Sequence, residues 1–164
     1  MKTIRRCLAL GLASITGFGV LALSPVAAQA AVDPLHDGLS EATAAASCWE
    51  IKQNDPRSEN GTYWLQTATM DAPRQFFCDQ STDGGGWVLI GRGREGWETW
   101  SQGQGDQEKL KTRPRTAGDF EVVQASHQTV NGLLGGTSVS ALEDGLMVQR
   151  AWNHNGTAYQ TVRM

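Results

Sequence analysis

The side chains best placed to do chemistry lie in one short run, Cys78-Asp79-Gln80-Ser81-Thr82-Asp83-Gly84-Gly85-Gly86-Trp87. A thiol there can oxidise to a disulfide. Two carboxylates flank a tight turn, where they could touch a cation or accept hydrogen bonds from backbone N–H groups. The turn-capping role is the favoured one, because a hard cation such as calcium asks for six to eight oxygen ligands and no Asp-rich loop supplies them. Three consecutive glycines are costly in chain entropy, so the backbone should need positive φ or a close approach at that point.

Further along, Gly91-Arg92-Gly93-Arg94-Glu95-Gly96 matches G-x-G-x-x-G. The next residues, Trp97 to Gly103, do not read as an amphipathic helix whose N-terminus could hold a pyrophosphate, so a dinucleotide loop is not expected. His36, His127 and His154 have no partners at metal-ligand spacing. Neither a Gly-x-Ser-x-Gly elbow nor a His-Glu-x-x-His helix occurs. The sequence therefore names no catalytic residue, metal ligand or cofactor, and the chain is not expected to be an enzyme.

Arg92, Arg94, Trp97 and Trp100 form a candidate recognition surface, since Trp and Arg carry much of the energy at interfaces. The alternative is that both tryptophans pack into a loop-rich core. Lys109, Lys111, Arg113 and Arg115 read as a solvated face. Asn60-Gly61-Thr62 and Asn155-Gly156-Thr157 match glycosylation sequons but read more simply as turns.

The elements that must position these residues begin after residue 30. Lys2, Arg5 and Arg6 precede a charge-free stretch from Cys7 to Val26, and Ala28-Gln29-Ala30 comes after it. This is the order of an export signal with cleavage after Ala30. A retained membrane anchor is the alternative, but glycines, serine and threonine dilute the stretch and no basic flank closes it. The remaining chain suffices for one domain with a modest core. The net charge of −3 for the whole chain becomes more negative once the signal's three cations leave, the wrong sign for a protein that tracks a nucleic-acid backbone. Two cysteines, Cys48 and Cys78, remain for an oxidising compartment and are expected to bond, with buried free thiols as the alternative.

Residues 31–46 are small and polar and read as a leader or linker, with one short helix from Ser40 through Ala46. The packed domain is expected from residue 47 to 164. Tyr63-Trp64-Leu65 and Gln75 to Asp79 read as strands between turn signals. Trp87-Val88-Leu89-Ile90 is apolar on both faces and is expected at the centre of a sheet. Gly103 to Arg115 reads as a polar loop. Thr129 to Leu134 reads as a helix ended by Gly135-Gly136, and Leu146 to Trp152 with Thr157 to Arg163 as a hairpin around Asn153-His154-Asn155-Gly156. The last strand ends at Met164 with no turn residue after it, so the sheet reads as cut through.

The run from Cys78 to Trp87 resembles the signature of the fibrinogen C-terminal-like domain, an aromatic-Cys-Asp strand followed by Thr-Asp-Gly-Gly-Gly-Trp. Cys48-Trp49-Glu50-Ile51 is similar to that family's opening half-cystine, and Asn60 to Leu65 to its Gly-x-Tyr strand. The resemblance is clearest over residues 48–96, and the bacterial exported members look closest. It implies a Cys48 to Cys78 disulfide and marks Asp79, Asp83, Gly84, Gly85, Gly86 and Trp87 as family-motif positions. Gln80 and Gly91 depart from the usual Met and Gln.

Family lectins carry a second disulfide and an acidic calcium loop further on. Neither occurs here, so calcium enters only with a C-terminal portion beyond Met164. The expectation is an α+β domain with a twisted, mainly antiparallel sheet. Its role would be an extracellular, non-enzymatic recognition or adhesion module for a surface glycan or protein, with no nucleic acid and no membrane after signal cleavage. The competing readings are the front part of a longer secreted hydrolase and a structural spacer without a ligand.

Overall fold

The computed structural model describes residues 36–94, 96–98, 102–113, 121–151 and 158–164. The expected export signal, Trp100, Arg115 and the expected hairpin loop at residues 153–156 lie outside them. Within the described residues the fold is α+β, with two α-helices and antiparallel strands in three small sheets.

The first sheet holds β1 (Gly61–Leu65), β2 (Arg74–Asp79) and β3 (Trp87–Val88), in that order. Strand alternation sends Tyr63, Leu65, Phe76 and Cys78 to one face. There they bury against Ala45, Cys48 and Ile51, with Met70, Val88 and Leu133 packed around them. Helix α1 (Cys48–Asn54) supplies Cys48 and Ile51 from adjacent turns. Ser47 caps it by accepting the Glu50 N–H at 3.0 Å, while the Glu50 carboxylate accepts the Ala46 N–H at 2.6 Å.

Three expectations change here. Residues 37–46, read as leader, pack on the sheet. Ala45 is fully buried and bridges Leu65 in parallel, with its N–H on the Trp64 carbonyl and its carbonyl on the Gln66 N–H. Few large side chains are needed where the backbone itself extends the sheet edge. The expected helix in this segment is only a 3-10 turn, Glu41–Thr43.

Second, Trp87 to Ile90 is not a central strand. β2 occupies the centre, and β3 lies at the edge with both residues half-buried. The apolar run is spent crossing between sheets. Leu89 donates to the Phe77 carbonyl, the Ile90 carbonyl accepts the Ala125 N–H, and β4 (Gly91–Arg92) then pairs with β5 (Val123–Gln124).

Third, the polar stretch 103–113 contains a 3-10 turn, Gln107–Lys111, whose Leu110 is fully buried, as is Val123 of β5. Its sequence conceals one inward position among charged neighbours.

Helix α2 (His127–Leu133) is capped by Ser126, which accepts the Thr129 N–H at 3.1 Å, and the chain leaves it through Gly135 and Gly136, both at positive φ. Strands β6 (Met147–Ala151) and β7 (Tyr159–Arg163) pair antiparallel over five positions, as the sequence predicts.

Candidate recognition site: the triple-glycine bend and the Trp64 cleft

A Cys48 to Cys78 disulfide joins the start of α1 to the end of β2, with Cα atoms 5.6 Å apart and both residues buried. One residue past Asp79, the Gln80 side chain enters the fold. Its Nε2 donates to the Cys48 carbonyl and its Oε1 accepts the Gly86 N–H, each at 3.0 Å. The Gln80 N–H donates to Asn60 Oδ1, and Asn60 Nδ2 donates to Ser81 Oγ at 2.7 Å. Asn60 thereby clamps the turn before β1 to the bend, the turn role expected of it.

Asp79 is the electrostatic centre of the bend. Its Oδ1 accepts the Ser81 and Thr82 N–H groups at 3.1 and 2.9 Å and the Ser81 hydroxyl at 3.2 Å. Its Oδ2 accepts the Thr82 hydroxyl at 2.7 Å and Arg113 Nη1 at 2.8 Å. Burial alone would push the carboxyl up. The Thr82 and Ser81 donors and the Arg113 guanidinium outweigh it, holding Asp79 below the usual carboxylate range. Arg113 is therefore not part of a solvated face. Its side chain is only 14% exposed, and it also lies over the Tyr159 ring at 5.6 Å.

Asp83 behaves differently from its neighbour four residues back. It sits in the left-handed region at φ 51° and pairs with Arg163 of β7. The same guanidinium donates to the Asp83 carbonyl at 3.1 Å and lies over the Trp87 ring at 5.0 Å. Arg163 thus helps dock the C-terminal hairpin on the bend, together with Gln149 of β6, whose Nε2 lies 3.5 Å from Thr82 Oγ1.

The glycines divide by what surrounds them. A Cβ on Gly85, at φ 81°, would lie 2.4 Å from the Gln80 carbonyl oxygen, and one on Gly86, at φ 84°, 2.6 Å from the Trp49 ring. A Cβ on Gly84, at φ 91°, would meet open space.

Of the expected recognition residues, Arg92, Arg94 and Trp97 lie within the described residues. Arg92 is half-buried and commits its guanidinium to the backbone, its Nε on the Glu121 carbonyl at 2.9 Å and its Nη1 on the Thr112 carbonyl at 2.6 Å. Trp97 covers Gly93 and donates to the Gln102 carbonyl at 3.2 Å, half-buried as the packing alternative has it. Arg94 is exposed.

A second feature is invisible in the sequence. On the sheet face opposite the core, Trp64 and its register partner Gln75 border a cleft of about 280 Å³, closed by Pro73, Arg74, Gln107, Glu108 and Lys111. The 3-10 turn makes its far wall. Gln107 Nε2 donates to the Gln75 carbonyl at 3.2 Å, while Gln107 Oε1 is buried with no donor. Lys111 pairs with Glu108 at 2.6 Å. Among the described residues, Arg74 has no ion pair and no side-chain hydrogen bond. These residues come from two segments 30 or more positions apart, so no local motif announces them.

Comparison with known proteins finds relatives of part of this chain. The chain is similar to angiopoietin-4 of Mus musculus, 36% identical over 66 residues, and to the human protein, 38% identical over 66 residues. Angiopoietin-4 of Bos taurus is 36% identical over the same length. Each match covers 36% of this chain and 13% of the relative, so the chain matches only a small part of these proteins. No family model matches, and no solved structure matches.

Proposed function

We propose that the chain is an exported, non-catalytic recognition domain of fibrinogen-like type, of the bacterial secreted kind, that binds a surface glycan or an extracellular protein. The similarity to angiopoietin-4 carries this reading. The arrangement of the bend fits it: both carboxylate oxygens of Asp79 are taken by protein donors, as a scaffold role for the conspicuous motif requires.

The test is direct binding. Purified protein is presented to arrays of glycans and of secreted proteins, with and without calcium. Saturable binding to at least one target is expected. Silence on both arrays under both conditions would leave the domain as a spacer and remove the recognition reading.

A further inference from the structure

We infer that the outward face of the β6–β7 hairpin is the contact surface for a second copy of this chain, related to the first by a twofold axis that crosses the strands at the Met147–Arg163 pair.

The polarity of this hairpin is inverted. In an antiparallel sheet with one wet face, the apolar side chains turn to the body of the protein and the polar ones to water. Here the side toward the body reaches it through Gln149, Tyr159 and Arg163. Val148 and Val162, register partners on the other side, are 47% and 48% exposed. Leu146 and Met164 exchange backbone hydrogen bonds at 2.9 and 3.0 Å and extend the same face by one pair, with Met164 72% exposed. Neither strand contains a buried residue. Single exposed apolar side chains are ordinary, but four in two adjoining cross-strand pairs form a contiguous patch that marks a contact surface.

Charge selects the occupant. Arg150 lies on the outward face beyond Val148, exposed and without an ion pair among the described residues. At the opposite end of the patch come Glu143 and Asp144, both exposed. Glu143 has no ion pair among the described residues, and Asp144 has only a 3.5 Å contact with Arg163. The face is therefore complementary to itself. A half-turn about an axis lying in the face, across the strands at Met147 and Arg163, sets Leu146 against the partner's Val148 and Val162 against the partner's Met164. The same rotation brings Arg150 to the partner's Asp144, once at each end, as an isologous interface requires. The face is small beside the roughly 800 Å² per partner of a standard interface, so the pairing is concentration-dependent rather than obligate.

Sedimentation equilibrium of the purified protein, from about 3 µM to about 300 µM, tests the pairing. The average mass should rise from one chain toward two and no further. Val162→Lys, at an exposed position, should lower the association constant tenfold or more. Leu39→Lys, which removes an apolar side chain 71% exposed outside the hairpin, should change it less than twofold.

The charges supply a second arm. Arg150→Glu should weaken pairing fivefold or more, and so should Glu143→Arg combined with Asp144→Arg. An equimolar mixture of these two proteins should pair again, because opposite charges then meet at both ends. A chain that stays monomeric throughout leaves the face to some other occupant and overturns the inference. Equal losses from Val162→Lys and Leu39→Lys, or a mixture that fails to recover, would overturn it as well.

Discussion

Arg113 reaches Asp79 at 2.8 Å inside the fold, with side-chain exposures of 14% and 6%, although the two residues are 34 positions apart. The pair ties the 3-10 segment to the end of β2. Removing one member of a buried pair leaves the other charge without compensation, at a cost of roughly 3 to 5 kcal/mol. Asp79→Ala should fall in that range, because it also strands the Ser81 and Thr82 N–H groups. Arg113→Leu should cost less, since four protein donors to Asp79 remain. Urea titration of both variants checks the order, and an Arg113 variant less stable than the Asp79 one would refute it.

The same carboxylate sets a pH dependence. Its folded-state value lies below the unfolded one, so its contribution is complete above the ordinary Asp value near ~3.9 and drains away as pH falls through the lower folded value. The stability gap between wild type and Asp79→Asn should therefore be widest above about pH 5 and narrow steadily below about pH 4. A gap that stays constant from neutral pH to strong acid would show that the ionised form is not preferred by the fold.

Alanine at the three glycines should give a graded series. At Gly84 only the positive φ is penalised, about 1 kcal/mol. At Gly85 the same penalty is joined by a Cβ 2.4 Å from a backbone oxygen, and at Gly86 by one 2.6 Å from the Trp49 ring. Gly85→Ala should be the most damaging, because a backbone carbonyl yields less than a side chain. Thermal melts of the three single variants decide it.

Reducing the disulfide, or replacing both cysteines by serine, releases a loop spanning 30 residues. The chain-entropy model gives a loss of roughly 3.5 to 4 kcal/mol. Denaturation of oxidised and reduced protein, compared directly, measures it.

Arg163→Ala should loosen the hairpin on the bend without unfolding the rest. Its partners are partly exposed, so the global loss should be about 1 kcal/mol. Amide exchange of β6 and β7 should nevertheless accelerate tenfold or more relative to β2, since a two-stranded ribbon is marginal without a surface to rest on.

What the sequence makes legible is local. Tyr63 to Leu65, Gln75 to Asp79 and the two closing strands carry β-formers between turn residues, and each is found as a strand. Helix α1 is absent from the sequence reading, although Ser47 with Glu50 three residues later is the pattern of a helix start. The strand expected at Trp87 to Ile90 is found only as Trp87–Val88 and at the edge of its sheet, because an apolar run does not reveal whether one sheet or two will use it.

Arg113, Lys109 and Lys111 look alike in the sequence, and only tertiary contact tells the buried cation from the two at the surface. The Trp64 cleft is a further step removed, made by a strand and a turn that meet only after folding. Arg92 shows the converse, a residue whose type suits an interface and whose guanidinium is committed to two backbone carbonyls of its own chain.

The passage of one extended ribbon from β3 into β4 sets a rule of parity for the whole molecule. Side chains alternate along it, so one added or deleted residue at Leu89 or Ile90 would keep the first sheet intact and turn every later side chain of the second to the wrong side. Length changes should accumulate in loops on either side of this hinge, never within it. Two small sheets are thereby kept in phase by a count of residues.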